Sequence, residues 1–246
     1  VDNGIHSKFT KPVYRWFQQE LYQVYEKGVH ALILNGDLID GEGKKGTQDT
    51  IDTDTKHQAE MFLNVAEDLG LTNIPQIVMT YGTAFHVTST WDAEEYIAEH
   101  LEADIPTDTV CLEVNGTTLA ARHHARRGDT PYTQPTQLQK EKHRDDVHQW
   151  RMGQEPADIV IRSHVHYYVW VETADGWALS NPTLQVPGSI YGRRMMGFNY
   201  DIGFTELVFM DDGFPIAIKH IMPPLEVQGQ RRYLHVNEAC YTSVSD

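Results

Sequence analysis

Hydrophobic and polar positions divide the chain into helices and strands separated by short polar breaks. From Pro12 to Lys27, apolar side chains fall at Val13, Phe17, Leu21, Val24 and Tyr25, with Trp16 beside them. That spacing predicts a helix with one apolar face, ended by Gly28, after a polar entry segment over residues 1–10. Ala31–Leu34 is an uncharged, mostly apolar run that stops at Asn35-Gly36-Asp37. It reads as a strand covered on both faces. After a polar loop over 42–53, Thr55-x-x-Gln58 predicts a capping box. The helix it opens runs through Met61, Phe62, Val65 and Leu69 to Gly70, and Gln76–Thr80 is a second buried strand. Strand, helix, strand predicts parallel pairing through a right-handed crossover.

A further helix is predicted from Trp91 to Ala103. Val110–Val114 and Thr117–Arg122 flank Asn115-Gly116, a strong hairpin signal. A loop rich in Gly, Pro and Thr over 125–136 leads into a charged helix, Leu138–Met152. The last third reads as strands at Ile159–Arg162, Tyr167–Glu172, Trp177–Leu179, Thr205–Met210 and Ile216–Ile221, with Asp175-Gly176 and Asp212-Gly213 as turns. This predicts an α/β chain with two sheets packed face to face and helices outside. There is no internal repeat, low-complexity segment or interdomain linker, so residues 1–246 read as a single domain. Trp91, Trp150, Trp170 and Trp177 are expected to be packing residues.

Composition narrows the function. The formal charge is −15, from 20 Lys+Arg against 35 Asp+Glu. So acidic a balance disfavours wide, nonspecific wrapping of a nucleic-acid backbone, which needs a basic face. It leaves room for a phosphorylated substrate held by metal ions, which supply positive charge locally. Cys111 and Cys240 make neither a disulfide framework nor a four-thiolate zinc site, and the cytoplasm is the simplest compartment. No apolar run approaches the roughly 20 residues that span a bilayer, so no membrane partner is expected.

The candidate chemistry lies at strand ends. In open α/β sheets, ligands bind just outside the carboxyl ends of the strands. Asp37 and Asp40 follow the first strand, Tyr81-Gly82-Thr83-Ala84-Phe85-His86 the second, Arg122-His123-His124-Ala125 the hairpin strand, and Arg162-Ser163-His164-Val165-His166 the strand at 159–162. One such histidine reads as a surface residue; four such loops at successive strand ends read as a site. Imidazole with carboxylate suits Mn, Fe, Zn or Ni, and a bridging carboxylate can hold two divalent ions roughly 3.5–4 Å apart.

The order Gly36-Asp37-x-x-Asp40, a Gly82…His86 loop, a strand-end His and His164-x-His166 resembles the calcineurin-like metallophosphoesterase family. The resemblance covers most of residues 30–200 and looks closest to the phosphoesterases of bacteriophage genomes. It implies a four-layer α/β/β/α sandwich, two mixed sheets flanked by helices, around two divalent metal ions. It further implies hydrolysis of a phosphomonoester or phosphodiester by a metal-bound hydroxide; a nucleotide or nucleic acid falls within that substrate class. Carried over, Asp37 is the bridging ligand and His164 and His166 each complete one metal. His124, next to the small Ala125, is the strand-end ligand, with His123 behind it in the outer shell as fallback. Thr83 supplies a weak neutral oxygen where the family has Asn, Asp40 orients a ligand by hydrogen bonding, and His86 is the catalytic histidine. Arg126 and Arg193 are the substrate-binding candidates.

The chain departs from the family at Thr83 and at Ser163, which replaces the usual Gly. The family's first motif, Asp-x-His, has no match in residues 1–29. The chain begins at Val1 without Met. The reading therefore expects the first strand upstream of residue 1. Two other readings share these residues: a degenerate phosphoesterase fold serving as a binding or scaffold protein, and a metal-dependent nuclease.

Overall fold

A computed structural model describes residues 7–41, 52–83, 91–104, 106–185 and 200–223. The first helix, α1, spans Ser7–Tyr25 and buries Val13, Leu21 and Val24. It begins inside the expected entry segment, since nothing between Ser7 and Pro12 breaks it. β1 (Ala31–Asn35) and β2 (Gln76–Thr80) pair in parallel, with Ala31 opposite Gln76 and Asn35 opposite Thr80. Between them α2 covers Thr55–Asp68, followed by a short 3-10 turn at Leu71–Asn73.

The expected capping box does not form. Asp54 caps α2, its carboxylate accepting from the N–H groups of Lys56 and His57. Gln58 is buried and put to other use. Its Oε1 accepts from the N–H groups of Asp40 and Gly41, and its Nε2 donates to the carbonyls of Gly41 and Asp52. The side chain that local pattern assigned to the helix start thus fixes the loop beyond Asp37.

α3 (Ala93–His100) precedes the hairpin of β3 (Val110–Val114) and β4 (Thr117–Arg122). α4 covers Gln134–Arg151, four residues earlier than its first apolar position, because Pro135 is pre-set for a first helical turn. Its buried stripe runs through Leu138, Lys142 and Asp146 and stops before Trp150, which is 54% exposed rather than packed. β5 (Ile159–Arg162), β6 (Val169–Thr173) and β7 (Gly176–Ser180) complete a five-stranded mixed sheet of order β3-β4-β5-β7-β6. β8 (Gly203–Phe209) and β9 (Pro215–Ile221) form an antiparallel pair.

The cores follow from strand alternation, which sends neighbouring side chains to opposite faces. In β7, Leu179 joins Leu119, Ala121, Ile159 and Ile161 in a cluster that also takes Ile33 of β1 and Leu207 and Phe209 of β8. Its neighbour Ala178 turns the other way, against Leu138 of α4 and Val171. A separate core places Leu21 of α1, Ala59 and Ala66 of α2, and Ile97 and Ala98 of α3 against Ile77 and Met79 of β2. The fold is mixed α/β, with parallel and antiparallel strands and helices packed on the sheets. Among the described residues no helix is long and apolar enough to cross a membrane.

Candidate metal centre

The carboxyl ends of β1, β2, β4 and β5 converge on one buried side chain. Asn35, the last residue of β1, donates from Nδ2 to Ser163 Oγ (2.8 Å) and to the Arg122 carbonyl (3.4 Å). Its Oδ1 accepts from the Thr80 hydroxyl at 2.8 Å. A buried amide satisfied from three other strand ends holds those ends in register, since an unpaired polar group there is costly.

Two loops then meet backbone to backbone. Gly36 has φ of 73°, and a Cβ on it would stand 2.6 Å from the Cα of Gly82. Asp37 follows in the left-handed region as well, at φ 53°, where non-glycine residues are uncommon. Its Oδ1 accepts from Thr83 N (2.6 Å) and the Thr83 hydroxyl (3.0 Å). With Oδ1 held this way, Oδ2 faces two imidazoles, at 2.8 Å from His123 Nε2 and 3.9 Å from His164 Nδ1.

His123 is buried, and its Nδ1–H donates to the Asn35 carbonyl at 2.6 Å. That bond fixes the tautomer and leaves Nε2 to present a lone pair, the orientation a metal-binding histidine takes. Buried Nε2 has no aligned hydrogen bond of its own, although it lies beside a carboxylate oxygen. Two lone-pair atoms so close repel unless a positive charge lies between them. Electrostatics agree. Burial opposes a charge on either partner, yet His123 and His164 together with the Thr83 N–H hold the Asp37 carboxyl well below the usual carboxylate range. Burial likewise opposes a charged His123, and the Asp37 carboxylate overcomes it and raises that ring's pKa. A proton shared by this pair occupies the place a cation would take.

Asp37, His123 and His164 each offer one ligand atom, all within 4.8 Å of one another. Two imidazoles with a carboxylate suit a divalent transition metal, and three protein ligands leave a position open. The donor set, the fixed His123 tautomer and the orphaned Nε2 all fit such an ion.

The remaining candidates are placed as follows. His124 is exposed, its ring stacked on His164 with centroids 5.1 Å apart. His164 and His166 both have positive φ, 68° and 64°. Burial first, then the neighbouring His164, brings the pKa of His166 down to about 4, so its ring is neutral and carries a lone pair at neutral pH. His166 is outside the three-residue donor set found among the described residues. Thr83 serves as a donor to Asp37. Asp40 is exposed, and its backbone N–H is tied to Gln58. Arg126 and Arg127 are exposed on the segment that follows His123. His86 and Arg193 lie outside the described residues.

Sequence reasoning passed over two side chains. Asn35 read as part of a turn. Glu94, in the first turn of α3, drew no attention in the sequence, although Ile97, Ala98 and Leu101 on the same face are buried. An acid on an apolar stripe was the available signal.

No family model matches the chain, and no curated protein is similar enough in sequence to match it. Solved structures are similar in shape. A single mutant of Vps29 from Entamoeba histolytica aligns over 84% of this chain and 89% of its own, at 12% identity and a TM-score of 0.44. A structure described as a novel archaeal phosphodiesterase aligns over 85% and 92%, at 16% identity and a TM-score of 0.44. A predicted phosphoesterase from Streptococcus pneumoniae aligns over 83% and 90%, at 11% identity and a TM-score of 0.37. With no identity among these above 16% and no TM-score above 0.44, the chemistry of the site rests on this chain's own residues.

Proposed function

We propose that the protein is a metal-dependent hydrolase of phosphate esters. The observation that carries the reading is the Asp37–His123–His164 cluster, with its buried, orphaned Nε2, where four strand ends meet. Asp37, His123 and His164 would hold a divalent cation, and His166 would serve a second. When bound, such ions polarise phosphoryl oxygens and make water a nucleophile at neutral pH.

The chain's own residues do the rest. Thr83 pins Asp37 Oδ1, so that Oδ2 is the oxygen offered. The Asn35 carbonyl accepts from Nδ1–H of His123, so Nε2 is the nitrogen turned to the site. The exposed Arg126 and Arg127, on the segment after His123, would receive phosphate oxygens, whose geometry a guanidinium matches bidentately. His86, four residues after Gly82 in the sequence, would protonate the departing oxygen.

The test is hydrolysis of bis-p-nitrophenyl phosphate and of p-nitrophenyl phosphate with added Mn²⁺, by the wild type and by Asp37→Asn and His123→Ala. Both variants should lose activity by about 100-fold or more, since each removes a ligand. Wild-type rates in both variants would remove the basis for the reading.

A further inference from the structure

Glu94 is buried, 3% exposed, on a helix that contributes no donor to the cluster. Its carboxylate crosses to two other loops. Oε1 accepts from the backbone N–H of Asp37 at 3.0 Å, and both oxygens accept from the N–H of Gly82 at 3.0 Å. We propose that Glu94 is a positioning residue of the metal site, fixing the Asp37 carboxylate from both ends through these two backbone bonds. The inference rests on the metal-binding reading above.

The geometry gives it two routes to Asp37. The first is direct. Asp37 stands at φ 53°, a conformation uncommon for non-glycine residues, and its N–H donates to a buried carboxyl oxygen. The second runs through Gly82. The residue after it, Thr83, makes both bonds to Asp37 Oδ1, so holding the Gly82 N–H also places the Thr83 donors. Gly82 lies against both carboxylates. A Cβ on Gly82 would fall 2.3 Å from Asp37 Oδ1 and 2.9 Å from Glu94 Oε1. Glu94 itself is anchored, because Asp92 caps α3 by accepting from the N–H groups of Glu94 and Glu95.

The roles of the two oxygens rank the substitutions. Glu94→Gln keeps the length and an acceptor at Oε1, but places an amide N–H₂ against the Gly82 N–H. Glu94→Asp keeps the carboxyl and falls one methylene short of both loops. Glu94→Ala removes every acceptor. A merely structural role would lower stability in all three without changing the affinity of the folded protein for metal. The control is Thr118→Val at the far end of β4. It removes the hydroxyl that bonds Asp158 and destabilises the sheet away from the site.

The experiment is calorimetric titration of the metal-free full chain with Mn²⁺, below the melting temperature and with folding confirmed by circular dichroism. Affinity should fall about 10–100-fold in Glu94→Ala and Glu94→Asp, the usual scale for outer-shell partners. It should fall less in Glu94→Gln and stay unchanged in Thr118→Val. Wild-type affinity in a folded Glu94→Ala, or an equal fall in Thr118→Val, overturns the positioning role while the metal site stands. Absence of Mn²⁺ binding by the wild type overturns the metal site and this role together. Should Glu94→Ala not fold, Glu94→Gln decides: affinity at least about threefold weaker supports the role, and wild-type affinity overturns it.

Discussion

Replacing Gly82 with alanine adds one carbon at the point where the Asp37 and Thr83 loops touch. That carbon would stand 2.2 Å from Asp37 N and 2.3 Å from Asp37 Oδ1. Ordinary contact begins at 3.4 Å, so the Asp37 backbone would have to retreat by about 1.2 Å. The obstacle is backbone, not the end of a flexible side chain, so no rotamer change relieves it. A retreat of that size takes the 2.6 Å bond from Thr83 N to Asp37 Oδ1 beyond hydrogen-bond range. A hydrogen bond to a charged group is worth about 1.5–3 kcal/mol, and the buried Gly82–Glu94 contact is disturbed with it. We expect Gly82→Ala to lower the unfolding free energy by about 3 kcal/mol and to weaken Mn²⁺ binding by at least about tenfold. Urea unfolding followed by circular dichroism, read as the shift of midpoint at constant slope, measures the first. Calorimetric titration with Mn²⁺ measures the second. A variant within about 0.5 kcal/mol of the wild type, with unchanged Mn²⁺ affinity, would refute the close approach of these loops.

Three further outcomes are expected. Mn²⁺ at about 100 times its dissociation constant should stabilise the wild type by about 2.7 kcal/mol and leave Asp37→Asn unmoved; an equal thermal shift in both argues against Asp37 as a ligand. Lys142 and Asp146 are a buried ion pair at 2.7 Å on α4. Lys142→Met should cost about 3–5 kcal/mol by stranding the Asp146 charge, and adding Asp146→Leu should recover most of it; an additive double mutant contradicts that. Glu206 carries the pH dependence. Burial opposes its charge, but hydrogen bonds from His220 and Lys27 outweigh that and hold its pKa below the 4.5 of an unstructured chain. Its stabilisation is therefore complete above pH 4.5 and lost as pH falls through the lower folded value. The stability gap between wild type and Glu206→Gln should close as pH falls below about 4.5, and a gap that widens on acidification refutes the assignment.

Much of this protein was legible locally. Alternation and helical spacing located the elements from α1 to β9, because each element's apolar face is written in its own residues. Gly and Asp breaks then marked where strands ended, which brought Asp37, Thr83, His123, His124 and His164 forward as candidates. The sequence also held an unused signal at the hairpin strand. Leu119 and Ala121 belong to the cluster on one face of the sheet, and the buried positions continue in step at His123 and Ala125, while His124 is exposed. Extending the period of two past the strand end distinguishes the neighbouring histidines, whereas the small size of Ala125 does not.

Other features depended on contacts between distant segments. Gln58 left a helix cap to hold the loop after Asp37. Asn35 became the buried junction of four strand ends. Glu94 reached from α3 to backbone groups of two other loops. Hydrophobic period is a property of neighbours in sequence, so the chain states it directly. A buried polar side chain is settled by whichever distant donor or acceptor the packed sheets bring to it, and that partner exists only once the strands have paired.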